Sequence, residues 1–349
     1  MDHDTKQKLL LKNEKLINMV VERTKRDFPE DIAASGLIGS FTTNEYHEKS
    51  DLDLIILINN EKGWGISRGF ILDDVGYDFY CTSWDRIPTM THMEVYYCAK
   101  PEYQARINDL LETKQKELDE PVGNKQIEKA KRFVNSAKQC FANVMIADKI
   151  GAARYYAGEM LDSIIEAISE LNNKVIRKYG LRKFLETLLS FEYLPNDFEE
   201  HYMLLVDAKD IDGIKQACVN LLTGFVGLYD EMSLKFIQSP VPTYDNLKGT
   251  YEELWCNYRN KILRSTSLNE KSYAFLTAIG AQNYLNEMTF SIGTKRFDVM
   301  QYFDSDNLSL LRDEFLKIMD EYLSEYEKAG RMVEKYETFD ELYAAFMSI

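Results

Sequence analysis

The feature that most constrains the fold is a change in hydrophobic period part-way along the chain. Between residues 33 and 83 the apolar residues come in short blocks, AASGLIGS, DLDLIILI and GYDFYCTS, bounded by Gly, Asn, Ser or Asp. That is the pattern of β-strands. Beyond residue 124 the apolar residues recur at every third and fourth position, the spacing of one helix face. Such a chain predicts an α+β fold, in which a small mixed sheet with flanking helices is followed by a helical bundle.

Leu9, Leu10, Leu16, Ile17, Val20 and Val21 predict a first helix over 6–28. NNEKGWGISRG, between the second and third blocks, reads as a loop or hairpin connection, and SWDRIPTM leads into a helix ending near Leu118. With 349 residues the chain exceeds one ordinary core. The polar run KQKELDEPVGN and the pair Pro240 and Pro242 are the natural breaks. They predict domains over 1–120, 121–240 and 241–349. In the second, one apolar stripe runs from Ala130 through Val134, Ala137 and Phe141 to Met145, and another from Tyr156 to Val175. Further helices are expected near 181–189, 198–206 and 214–232, and the aromatic faces beyond 247 read as bundle core.

The formal charge of −15, from 42 basic and 57 acidic residues, argues against a chain that grips a nucleic-acid backbone. It favours a cationic small molecule. No apolar run approaches the roughly 20 residues needed to cross a bilayer, and the opening MDHDTKQKLLLKNEKL has no signal-peptide organisation, so a cytoplasmic location is expected. The five cysteines are scattered, without CxxC or a His at zinc spacing, and read as reduced thiols in apolar settings.

The run DLDLIILI raises the chemical question. A buried strand excludes carboxylates unless something pairs with them, yet Asp51 and Asp53 open the run. At i and i+2 they project to one face, where two like charges repel unless a cation lies between them. Mg2+ suits such a pair: it takes carboxylate oxygens, keeps waters and is usually shared with substrate phosphates. Upstream, Gly39 and Ser40 follow an apolar block and lead into Thr42 and Thr43. Such a turn allows close backbone approach to a ligand, with N–H and hydroxyl donors for phosphate oxygens. His47, Glu45 and Glu48 read as loop surface, Asp73 and Asp74 as a turn before the third block, and Tyr96 and Tyr97 as packing under the sheet.

A strand, Gly-Ser, ten residues, then Asp-x-Asp opening a strand resembles the active-site signature of the nucleotidyltransferase superfamily that includes polymerase beta. The resemblance implies that Gly39 and Ser40 bind the triphosphate and that Asp51 and Asp53 hold metal. It implies a third carboxylate on the next strand, which Tyr77-Asp78-Phe79 matches, making Asp78 a metal ligand that takes or orients the acceptor hydroxyl proton. The helical remainder is similar to antibiotic nucleotidyltransferases of the streptomycin adenylyltransferase type. ARYYAGEMLDSII resembles their long helix and YGLRKFLETLLS a phosphate-contacting segment, which makes Arg154 and Lys183 nucleotide contacts. Leu205 stands near where those relatives carry an aromatic residue. The resemblance implies two Mg2+ ions, ATP as co-substrate, and transfer of AMP to a hydroxyl of a small, cationic, aminoglycoside-like acceptor with release of pyrophosphate. The alternatives are adenylylation of a protein, as in antitoxins of this superfamily, and a nucleotide-binding regulatory protein without catalysis.

Overall fold

The computed structural model describes residues 2–43, 46–90, 93–176, 184–236, 240–330 and 332–348. The chain forms two compact units, Met1–Ile237 and Gln238–Ile349.

The first unit opens with helix α1 (His3–Asp27), capped by Asp2, whose side chain accepts from the Thr5 N–H. Its buried residues Leu9, Asn13, Leu16, Val20 and Thr24 form one stripe at intervals of three and four. A mixed sheet follows, made of β1 (Ile32–Leu37), β2 (Leu54–Ile58), β3 (Arg68–Leu72), β4 (Val75–Thr82) and β5 (Glu94–Cys98). Its strand order is β3-β4-β2-β1-β5. β1 runs antiparallel to β2 and β5, β4 is antiparallel to β3, and β2 and β4 are parallel. The four-residue α2 (Ser40–Thr43) lies between β1 and β2, and α3 (Pro101–Leu118) follows β5.

Apolar side chains cover both faces of β2, which is why its sequence is apolar throughout. Leu54, Ile56 and Ile58 join Leu16 and Val20 of α1 in one cluster. Ile55 and Leu57 face the opposite way and join Ile107 of α3. The two expected aspartates therefore lie outside the strand proper. The backbone bends tightly there, with Leu54 N donating to Leu52 O at 2.8 Å, and β2 begins only at Leu54.

Two strands depart from the expected pattern. β3 falls partly within the segment read as a connection, and β5 replaces part of the stretch read as leading straight to helix. Both are edge strands, and little of β3 is buried: Ile71 is 79% exposed. Tyr96 is exposed on β5 rather than packed beneath the sheet, while the Lys25 ammonium lies over the Tyr97 ring.

The rest of the first unit is helical: α4 (Asn124–Ile146), α5 (Ile150–Leu171), α6 (Phe184–Leu189), α7 (Phe198–Asp207) and α8 (Ile211–Phe236). The α4 stripe Ile127, Ala130, Val134, Ala137 and Val144 packs with Ala157, Met160, Ile164, Ile168 and Leu171 of α5 and with Cys218, Leu221 and Phe225 of α8. Val175 lies beyond the end of α5 and is exposed. Asn173, in a left-handed conformation, ties the bundle to α3. Its amide donates to Glu117 O and Glu120 O at 2.7 and 3.0 Å.

The second unit contains α9 (Tyr244–Leu247), α10 (Thr250–Leu254), a π-turn over Trp255–Arg259, α11 (Asn260–Ser267), α12 (Lys271–Ile292), α13 (Leu308–Lys328) and α14 (Phe339–Met347). Its core includes Leu254, Ile262, Ala278, Leu285, Leu311, Phe315, Tyr322 and Tyr326. Buried phenols find partners there: Tyr322 OH lies 2.8 Å from Thr250 Oγ1, Tyr284 OH donates to Thr250 O at 2.9 Å, and Tyr326 OH donates to Leu247 O.

Among the described residues no helix is long and apolar enough to cross a membrane. All five cysteines are free. Burial pushes the thiols of Cys81 and Cys218 up to about 11 and about 12, so both stay protonated near neutral pH and are poor nucleophiles.

Candidate active site

The site is built where β1 ends and β2 begins. Leu37 pairs with Leu54, and the two backbones stay joined one step further, through Ile38 N donating to Asp53 O at 3.1 Å. The chain then turns through Gly39 at φ +80° into α2, where the N–H and hydroxyl of Thr42 donate to Gly39 O at 3.2 and 2.9 Å. A Cβ on residue 39 would lie 1.8 Å from Asp53 Oδ2. Only glycine fits, because the Asp53 carboxylate occupies the space of a side chain and because the backbone is left-handed. The sequence suggested that Gly39 clears room for a ligand. In the structure it first clears room for the carboxylate proposed to hold one.

The loop into Asp51 is closed on itself. Phe41 stacks on Tyr46 with ring centroids 4.4 Å apart. His47 N donates to Ser50 Oγ and Ser50 N to His47 O, both at 2.9 Å. The His47 ring serves this loop, accepting at Nδ1 from Lys49 N at 3.1 Å. Between the two aspartates, Leu52 is fully buried in the α1-side cluster. It anchors the peptide while Asp51 and Asp53 remain partly accessible.

Asp78 lies on β4, where burial alternates: Val75, Tyr77, Phe79 and Cys81 are buried, and Gly76, Asp78 and Tyr80 are exposed. Parallel pairing sets Leu54 beside Phe79, so Asp53 and Asp78 each stand one residue before a paired position on adjacent strands. Across the other edge Asp78 pairs with Gly69, which has no side chain to cover it. Asp73 and Asp74 form the two-residue loop of the β3–β4 hairpin, with φ of 52° and 59° between paired Leu72 and Val75. That is the primed turn that suits strand twist.

Arg154 is exposed on α5, and its Nη2 donates to Ala208 O at 3.4 Å, a bond within the bundle. Lys183 lies outside the described residues, as does Glu45. Gly39 and Asp53 thus meet where β1 ends and β2 begins, with Ser40 and Asp51 beside them in sequence, while Asp78 lies on the neighbouring strand β4 and the described bond of Arg154 leads elsewhere.

Among the described residues no three His, Cys, Asp or Glu side chains converge into a metal cage. Mg2+ does not require one, since it is commonly held by one or two carboxylates with waters and substrate phosphates. The hard-oxygen donors Asp51 and Asp53, the latter seated in the cradle left by Gly39, fit that ion.

The sequence reading overlooked the lysines of α1. Lys8, Lys12 and Lys15, at helical spacing, line a groove of about 370 Å³ with Glu48 and Asp73. The Lys12 ammonium lies 5.5 Å from the Tyr77 ring centroid and 3.8 Å from Asp73. Their i, i+4, i+7 spacing was the available signal.

Residues 17–148 match the family model of the nucleotidyltransferase domain. A nucleotidyltransferase-like protein from Exiguobacterium sibiricum 255-15, known from a crystal structure, is similar over 61% of this chain and 75% of its own, at 11% identity and a TM-score of 0.35. No curated protein matches the chain.

Proposed function

We propose that the chain is a Mg2+-dependent nucleotidyltransferase that moves AMP from ATP to a hydroxyl of a small cationic acceptor of aminoglycoside type, releasing pyrophosphate. The match of residues 17–148 to the nucleotidyltransferase domain supports nucleotidyl transfer in general. The observation that carries the assignment of residues is the fit of the Asp53 carboxylate into the space a side chain on Gly39 would fill, which links the phosphate turn to the metal pair. On this reading Asp51 and Asp53 hold the metal, which would neutralise charge developing on the transferred phosphoryl group. Asp78, open on β4, orients the acceptor hydroxyl and takes its proton. The Gly39-Ser40 turn holds the triphosphate, Arg154 and Lys183 add phosphate contacts from the helical region, and the acidic surface draws in a cationic acceptor.

The test is to incubate the purified chain with ATP, Mg2+ and a panel of aminoglycosides and other polyols, following pyrophosphate release and the mass of the acceptor. Acceptor-dependent pyrophosphate with a gain of one AMP, absent in Asp53→Asn, is the expected result. Tight ATP binding with no pyrophosphate for any acceptor, proteins included, would make the chain a nucleotide-binding regulator instead.

A further inference from the structure

The second unit holds a pocket of about 330 Å³ that the chemistry above does not use. It is lined by three aromatic residues, Tyr251, Trp255 and Tyr336, two acidic ones, Glu252 and Glu334, and Val333 and Lys335. Tyr251 and Trp255 stand one helical turn apart, their ring centroids separated by 6.0 Å and their planes inclined at 54°. They make a corner rather than a stack. The segment carrying Val333 and Tyr336 is tied to this corner, since Glu334 N donates to Glu252 Oε1 at 2.8 Å, and Tyr326 OH lies 3.4 Å from Glu252 Oε2.

Aromatic faces attract cations through the ring quadrupole, and one ring here already does so. The Arg259 guanidinium carbon lies 3.8 Å from the Trp255 centroid, although Arg259 does not line the pocket. The one basic side chain in the lining, Lys335, pairs with Glu337 at 3.5 Å. A ligand entering the pocket therefore meets three aromatic and two acidic residues. An anion would be repelled, and a neutral apolar compound would leave the Glu334 carboxylate without a counter-charge. A bare ammonium ion would surrender strong hydration to reach the rings, whereas an alkylated one surrenders little. We propose that this pocket binds a small organic cation with a quaternary or N-methylated ammonium head. This site is independent of the nucleotidyl-transfer reading.

The experiment is calorimetric titration of the full chain with choline and with its neutral isostere 3,3-dimethylbutan-1-ol. Choline should bind at least about tenfold more tightly than the alcohol, the scale of a desolvated cation–π contact. Tyr336→Ala and Glu334→Gln, both at exposed positions, should each weaken choline by about three- to tenfold with an unchanged melting curve, and Trp255→Leu should weaken it further. Equal binding of the two compounds overturns the proposal. So does choline binding that survives Tyr336→Ala and Trp255→Leu, or no choline binding up to about 10 mM.

Discussion

Asp51 and Asp53 form one acidic pair of the sheet domain, and Asp73 and Asp74 form another. Composition does not distinguish the two pairs, but their backbone settings do. Asp73 and Asp74 occupy left-handed conformations at a hairpin tip, where short polar side chains are tolerated. Asp51 and Asp53 flank a fully buried leucine at the mouth of a strand buried along its whole length, with one carboxylate packed against a bare α-carbon. The first setting uses aspartate for its conformational tolerance and would accept Asn or Gly. The second, on the function proposed above, uses it for its oxygens. A pair of carboxylates indicates chemistry when the neighbouring structure has been shaped around the carboxylate group itself.

Substitution tests this contrast most severely at Asp53. Asp53→Asn should lower turnover by a factor of about 100 to 1000 or more and leave the metal-free fold intact, as read by steady-state assay and thermal melt. Activity within about tenfold of the wild type would remove the metal-site assignment. Asp78→Asn should cost about 100-fold in turnover, the scale of lost general-base assistance, with ATP affinity by calorimetry changing little. Gly39→Ala should destabilise the chain by about 1–3 kcal/mol in denaturant titration, through both the left-handed backbone and the methyl forced against Asp53. Neutral behaviour there would mean that the carboxylate does not occupy the cradle. The smallest effect is expected at the hairpin: Asp74→Gly should leave turnover unchanged and alter stability by no more than about 0.5–1 kcal/mol, in the stabilising direction, because Gly suits positive φ. A collapse of turnover at Asp74 with Asp78 indifferent would move the third carboxylate and shift the register of β4.

What could be read in the sequence follows the same division. β2 was legible because α1 and α3 cover both its faces, leaving Leu54 to Ile58 no polar position. β3 was not, because an edge strand with Arg68, Gly69 and Ile71 in solvent carries no hydrophobic period. The aspartate turn at residues 73 and 74, and the division of β4 into one face with Asp78 and Tyr80 and another with Phe79 and Cys81, were readable from turn chemistry and alternation, and the structure agrees. The start of β2 was misread by three residues, since a tight bend through Leu52 is a local hydrogen-bonding choice with no compositional mark. The contact between Gly39 and Asp53 was out of reach, because it depends on the pairing of Leu37 with Leu54, a long-range register. Arg154 was legible only as a basic residue on a helix, and its described hydrogen bond is to Ala208 O.

The tyrosine cluster of the second unit bears on how the chain is made. Tyr326 near the end of α13 reaches Leu247 O and Tyr251 N, and Tyr322 reaches Thr250, so the first turns of this unit are completed by residues more than seventy positions later. The α4–α5 pair of the first unit closes between neighbouring helices and can form locally as the nascent chain emerges. The hydrogen bonds of Tyr322 and Tyr326 cannot form until α13 has been synthesised, and such distant closure slows folding. Until then the core around Leu247, Tyr251 and Leu254 lacks its α13 share, Leu311, Phe315, Tyr322 and Tyr326, and partly covered apolar surface of that kind is what chaperones bind.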